Sequence, residues 1–388
     1  MGTTPFFTTP AAFPDWRFEN MDDKDLLSLH VDDFLGVPWS EFATGPAPAN
    51  LPAAWVSRWN ALAGNARASG KTLYLALSPL GARKTLAPEV DAGGNPVDNW
   101  APVDVNGCYP FATDAGAAAH KAAYINYAKY VIALVAPVYF SPAIEMDIPF
   151  TKCAAQKAAW VTWYADVHNA IKAAFPNLIV FPTFQLEYMY GIAESAAACP
   201  GLSPSACFDQ RLAEALTIPG ERIAFSTYPL TWRFNGTAYP TDTYVKVTNA
   251  TSRKIWISET GWAAVPVRLG YQHGGVGSCS TEIVPAFTTD DENTNYLSWL
   301  LGEATDRGFE TVIWWLNRDY LDGTIAATCP CSPASETCTL TNTFHTLGGV
   351  EAEFALRVFG NMALRKHDGS ARPGHATWQN YMARPRVP

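Results

Sequence analysis

Short apolar runs alternate with alanine-rich amphipathic stretches along almost the whole chain, and that rhythm restricts its fold more than any other feature. Eight runs rich in β-branched and aromatic residues occur: PFFTTPAAF (5–13), LLSLHVDD (26–33), KTLYLALSP (71–79), VYFSPAIEMD (138–147), NLIVFPTFQLEY (177–188), RIAFSTYPL (222–230), KIWISETGW (254–262) and TVIWWLNRDY (311–320). Stretches with helical spacing lie between most of them, at 51–69, 117–136, 155–175, 209–217 and 293–307, with another at 351–363 after the eighth run. Strand–helix alternation implies a parallel sheet covered on both faces. Eight units predict an α/β fold, a single (β/α)8 TIM barrel over residues 1–388. The chain has 388 residues, 48% of them hydrophobic, enough for one large barrel.

The connections sharpen this. Links from helix to strand are tight and marked by Gly70, Pro176-Asn177, Pro219-Gly220 and Gly308. Links from strand to helix are long, notably 82–115, 189–206, 263–291 and 319–349. All eight cysteines (108, 153, 199, 207, 279, 329, 331, 338) are expected in those links, with no Cys-x-x-Cys among them. They read as disulfides that staple the long βα loops rather than as a zinc site. In a barrel these loops gather at one end, where active sites are built. The glycine-rich segment RLGYQHGGVGS (268–278) reads as a flexible lid on that face.

Net charge is −9, and Lys and Arg are scattered, so neither nucleic acid nor an anionic membrane surface is an expected partner. No apolar run reaches membrane-spanning length. The first residues do not read as an intact signal peptide. The even cysteine count and the Asn-x-Thr triplets at Asn235 and Asn249 are compatible with a secreted or periplasmic protein. A monomer is expected.

The seventh run ends on Glu259, and the fourth carries Glu145 and Asp147 at its end. Residues two apart on a strand point to the same side, so Glu145 and Asp147 are both expected to face the barrel mouth. Strands four and seven of an eight-strand barrel face each other, so their terminal carboxylates can converge. Two convergent carboxylates are what cleavage of a glycosidic bond needs. One protonates the leaving oxygen, and the other meets the positive charge that grows on the anomeric carbon. Each carboxylate alone is equally at home in a structural salt bridge; the pair across the mouth favours catalysis. Asp147 is the alternative proton donor to Glu145.

Four segments, LLSLHVDDFLGVPW, YFSPAIEMDI, AFSTYPL and ISETGW, carry a resemblance to the clan A retaining glycoside hydrolases, and within them to the endo-β-1,4-galactanases of family 53 and their uncharacterised relatives. The resemblance implies a retaining β-glycosidase acting on galactan-like or other β-linked poly- or oligosaccharide by double displacement. It implies Glu145 as acid/base, Glu259 as nucleophile and Tyr228 as the hydrogen-bond partner that orients Glu259. It calls for no cofactor or metal. The chain departs from the clan where an asparagine contacting the sugar 2-hydroxyl precedes the acid/base; Ile144 stands there. Asp147 or Gln185 is the expected replacement, or else the sugar at that subsite is read differently at C2.

Fourteen tryptophans are many for this length. Trp39, Trp100, Trp232, Trp262, Trp314 and Trp315 fall at strand ends or on the links beyond, where indole faces can stack on sugar rings. Trp163, Trp299 and Trp378 are expected on helices and read as packing. Period-two alternation sends one of Trp314 and Trp315 inward. By resemblance a strand-eight tryptophan floors the sugar, and Trp315 is preferred because Asn317 shares its face. His30, Asp32 and Asp33 end the second run and are candidates for sugar hydroxyls; Gln185 and Glu187 end the fifth. The rival reading is a barrel that binds a saccharide without cutting it.

Overall fold

The computed structural model describes residues 1–4, 18–97, 100–192, 199–234, 236–265, 268–271, 280–283, 287–320 and 358–384. Nine strands form one parallel sheet: β1 (Gly2–Thr4), β2 (Leu26–Asp32), β3 (Thr72–Leu77), β4 (Tyr139–Ser141), β5 (Ile179–Val180), β6 (Thr183–Gln185), β7 (Arg222–Thr227), β8 (Lys254–Thr260) and β9 (Thr311–Trp315). Their order is β6-β7-β8-β9-β1-β2-β3-β4-β5. β5 and β6 are two parts of the fifth run, parted at Phe181-Pro182, where proline has no N–H to give the ladder. β5 pairs with β4 and β6 with β7, and Thr183 N–H still reaches Ala143 O at 3.1 Å. The two ends of the strand order therefore belong to one stave, and the sheet curls round on itself as a barrel.

Among the described residues seven helices of eight residues or more follow the strands: α1 (Ala53–Ala68), α2 (Ala117–Val135), α3 (Lys157–Ala174), α4 (Pro204–Thr217), α5 (Thr243–Ala250), α6 (Asp290–Asp306) and α7 (Pro373–Met382). The first strand precedes the predicted run, since β1 ends at Thr4 and residues 5–13 lie outside the described residues. α5 has no counterpart in the sequence reading. A further helix, α7, follows the predicted stretch 351–363; of that stretch 351–357 lies outside the described residues, and Val358 and Phe359 are helical. α7 has few large apolar residues, so periodicity does not reveal it. Trp378, fully buried, anchors it by donating to Asp23 O at 2.6 Å, while the Asp23 carboxylate takes Arg365 at 2.6 Å and His375 at 2.9 Å.

Alternation along the strands sorts two cores. Leu26, Tyr74, Ala76, Phe181, Ala224, Trp256 and Ile313 point into the barrel and pack together there. Leu27, Leu29, Leu75, Phe225, Ile255 and Ile257 face outward against the helices. Gly2 is small for a reason: a Cβ there would meet Leu26 Cδ2 at 2.8 Å.

Disulfides join Cys108 to Cys153 and Cys199 to Cys207. Cys207 lies in the first turn of α4, not in the preceding link, so that bond ties the loop to its own helix. Cys279, Cys329, Cys331 and Cys338 lie outside the described residues. The expected lid begins as a strand, Arg268–Tyr271, paired antiparallel with Ser280–Ile283; residues 272–279 lie outside the described residues. Among the described residues no helix is long and apolar enough to cross a membrane, and no group of metal-ligating side chains gathers.

Candidate active site

Glu259 has the same parity on β8 as the outward-facing Ile255 and Ile257, so strict alternation would bury its carboxylate against the helices. A register shift prevents this. Phe225 pairs with Ile257, but Ser226 pairs with Glu259, leaving one extra residue, Ser258, on β8. The bulge re-aims the strand end. Glu259 then stands beside Ser226, which shares the inward face of Ala224. Just beyond, Gly261 lets the chain pass close to β9: a Cβ there would lie 2.9 Å from Trp315 O.

Glu145 is positioned differently from expectation. β4 stops at Ser141, and residues 144–147 form a turn with Glu145 at φ 49°. Strand alternation therefore does not apply to Glu145 and Asp147. The turn is pinned by Glu145 N–H donating to Thr183 Oγ1 at 2.8 Å. Asp147 leads into the short helix Ile148–Lys152, and its Oδ1 accepts from Gln185 N–H at 2.8 Å. Ile144 drops into the barrel interior beside Tyr74 and Trp256.

The two glutamates meet the same strand end. Ser226 Oγ donates to Glu145 Oε1 at 2.7 Å, and Tyr228 OH donates to Glu259 Oε1. His30 Nδ1 lies 3.2 Å from Glu259 Oε2. Arg83 grips Asp32 with two bonds of 2.9 Å and reaches Glu145 Oε2 at 3.3 Å. Trp315 turns inward as alternation requires and sets its edge to His30, ring centroids 5.5 Å apart. Asn317, buried just past β9, donates its N–H to Thr4 O at 3.3 Å.

Burial, then the neighbouring charge of Glu145, pushes Glu259 up to about 8; the Tyr228 hydroxyl and Arg83 work the other way. The like charge of Glu145 makes ionising Glu259 harder than burial alone would. Burial pulls His30 down to about 4, leaving it neutral. Burial opposes charge on Arg83 as well, but Asp32 and Glu145 outweigh it and keep the guanidinium protonated. Behind the mouth, burial raises Asp147 to about 8 and Glu187 to about 7.

Other predicted residues do different work. The Gln185 amide is used at both ends, accepting from Tyr188 N–H at 2.6 Å and donating to Glu187 Oε2 at 2.7 Å. Glu187 in turn accepts from Thr227 Oγ1 at 2.9 Å and Tyr228 N–H at 3.1 Å, which steadies the residue touching Glu259. Trp262 does not join the mouth: it packs on Tyr296 of α6 and donates to Phe287 O at 3.0 Å. Trp39 and Trp100 both donate to Ala87 O at 2.9 Å, Trp314 donates to Met362 O at 2.7 Å, and Trp232 is buried against Tyr190. All five are held by backbone carbonyls or neighbouring rings, filling space between strands, loops and helices. Trp163 and Trp378 are buried and Trp299 partly so, as expected.

Sequence reasoning missed Arg83 and Ser226. Arg83 sits at the tip of a hairpin, Leu80–Gly81 against Thr85–Leu86, inside a link with no periodic pattern. Ser226 carried one signal, its inward parity with Ala224.

No family model matches the chain, and neither does any curated protein. Solved structures do resemble it. An exo-beta-1,4-mannosidase from Opitutaceae bacterium strain TAV5 is 14% identical, with a TM-score of 0.55 over 98% of this chain and 58% of that one. A glucosidase from Croceicoccus marinus is 14% identical, with a TM-score of 0.50 over 98% of this chain and 65% of its own length. A GH5_18 protein from Streptomyces cattleya, solved with Manb1-4GlcNAc, is 12% identical, with a TM-score of 0.53 over 96% and 76%. This chain thus spans about three fifths of the first two. At such identities the likeness establishes that the chain has the α/β-barrel fold of these proteins.

Proposed function

We propose that the chain is a retaining β-glycosidase, one catalytic barrel that hydrolyses β-linked oligo- or polysaccharide by double displacement. The observation that carries this is the tethering of Glu145 and Glu259 to Ser226 and Tyr228, two residues apart at the end of one strand. That arrangement supports two carboxylates meeting at one strand end, as acid/base and nucleophile around one sugar must. Glu145 protonates the leaving oxygen and then activates water. Glu259 attacks the anomeric carbon, with Tyr228 holding its Oε1. Trp315 stacks beneath the sugar, and His30, Asp32 and Asn317 line the mouth. The barrel likeness to a mannosidase, a glucosidase and a protein bound to a β1-4 disaccharide favours β-glycosides. The resemblance in ISETGW and its companion segments adds galactan-like chains to the candidates. Two disulfides favour an oxidising compartment, outside the cell or in a periplasm.

A panel of β-linked galactan, mannan and glucan oligosaccharides, followed by product analysis, tests the reading. Turnover with retained anomeric configuration is expected, with Glu145→Gln and Glu259→Gln each losing at least about a thousandfold. A wild-type protein that binds oligosaccharide but releases no product, and whose Glu259→Gln variant binds the same way, would instead be a saccharide-binding barrel.

A further inference from the structure

Hydrogen bonds to the hydroxyl beside the reacting carbon strengthen as a glycoside approaches its transition state. The mouth therefore needs a polar group placed for that hydroxyl. Several groups are already occupied. Ile144 lies in the barrel interior. The Gln185 amide has a partner at each end, and Asp147 gives Oδ1 to Gln185 N–H while its Oδ2 is buried away from solvent. The Ser226 and Tyr228 hydroxyls donate to the two glutamates.

Arg83 is held differently on its two sides. Its bonds to Asp32 are both 2.9 Å, the length of a firm charge-assisted pair. Its contacts with Glu145, from Nε and Nη2, are both 3.3 Å, longer than a well-made N–H···O bond. About 14% of the side chain remains open. The Asp32 side fixes the guanidinium, and the Glu145 side has slack that an incoming oxygen can take up.

The backbone independently marks these residues. Among the described residues six that are not glycine have positive φ, and three of them are Asp32 (53°), Arg83 (60°) and Glu145 (49°). They are the three residues that the Arg83 ion pairs join. Lys84 N–H donates to Gly81 O at 3.0 Å, closing a turn with Ala82 at φ 47° and Arg83 at 60°. Such a turn favours asparagine and glycine, and each ordinary residue in it is strained. Strain of this kind persists where the surroundings enforce it and clusters at functional sites.

We propose that Arg83, fixed by Asp32, is the hydrogen-bond donor that reads the hydroxyl on the carbon next to the reacting one, so that the substrate is a β-glycoside with a free 2-hydroxyl on its glycone. This rests on the glycosidase reading. Binding of the sugar exchanges the long Arg83–Glu145 contacts for bonds to that hydroxyl, and frees Glu145 to meet the leaving oxygen.

The test compares kcat/KM for the aryl β-glycoside the wild type cleaves best and for its 2-deoxy counterpart. Wild type should prefer the hydroxylated substrate by roughly 10- to 100-fold. Arg83→Met should bring that ratio to within about threefold, and Arg83→Lys should retain part of it. Arg83→Met with Asp32→Asn removes the unpaired acid should the single variant fold poorly, and should give the same collapsed ratio. A ratio unchanged in the Met variants, whatever their absolute rates, overturns the assignment. If the wild type cleaves no glycoside, the hydrolase reading fails by itself. Calorimetry with phenyl β-glucoside and its 2-deoxy counterpart then decides: stronger binding of the hydroxylated one, lost in Arg83→Met, supports Arg83 as its reader, and equal or absent binding overturns it.

Discussion

Ser226 stands in register with Glu259 across the β7–β8 pairing, yet its hydroxyl donates to Glu145 Oε1, 2.7 Å away. One inward-facing serine thus sits beside one carboxylate and holds the other. Replacing it probes the pair without removing either acid. Ser226→Ala should lower kcat/KM by about 5- to 10-fold, the worth of one hydrogen bond, while the melting temperature stays within a few degrees of wild type. A loss as large as that of Glu145→Gln would mean the serine does more than position.

Tyr228→Phe removes a bond that favours the ionised form of Glu259. The carboxyl then holds its proton to higher pH. Glu259 must ionise to attack, so the acidic limb of the kcat/KM profile should move up by about half to one pH unit, and the plateau should fall. A limb that stays in place would detach Tyr228 from Glu259 in the working enzyme.

Burial pushes the Glu259 carboxyl up to about 8 in the folded chain, whereas an exposed glutamate in the unfolded chain titrates near 4.5. Between those values the native state binds more protons than the unfolded state, so this group's contribution to stability falls as pH rises through that window. Glu259→Gln is neutral throughout. It should match wild type at pH 4 and melt about 1–3 °C higher at pH 8, read by calorimetry. A Gln variant less stable at pH 8 than at pH 4, relative to wild type, contradicts the raised pKa.

Restoring an amide before the acid/base residue should not help. Ile144 is 2% exposed, among Leu26, Tyr74, Phe181 and Trp256. Ile144→Asn would bury a polar group in that apolar layer and should cost about 2–4 kcal/mol in denaturant unfolding, with no gain in turnover.

Ala82→Gly should stabilise the chain by about 1 kcal/mol, because φ 47° strains alanine and suits glycine. The neighbouring Arg83 keeps its place in the turn, so kcat/KM should stay within about twofold. A destabilised variant would show that Ala82 is held there by contacts rather than against its preference.

Much of the architecture is written locally. The run KIWISETGW announces a strand, and β8 occupies Lys254–Thr260 within it. The helix stretches 51–69, 117–136 and 155–175 contain α1, α2 and α3 within two residues at either end. These elements read clearly because burial of one face imposes a period on the residues themselves. α7 and α5 were not legible, since few large apolar residues mark a helix whose burial is provided by neighbours.

The sequence by itself determined the strand–helix order and which carboxylates end the fourth and seventh runs, because periodicity and chain order are properties of neighbours along the chain. Only the tertiary structure decided how those carboxylates are aimed. A single extra residue at Ser258 turns Glu259 inward, and a left-handed turn rather than a strand presents Glu145. Only the closed barrel brings Arg83 from its hairpin tip to both Asp32 and Glu145, 51 and 62 residues away in the chain. Contacts over such separations leave no periodic trace, since they depend on how strands stagger and loops fold back.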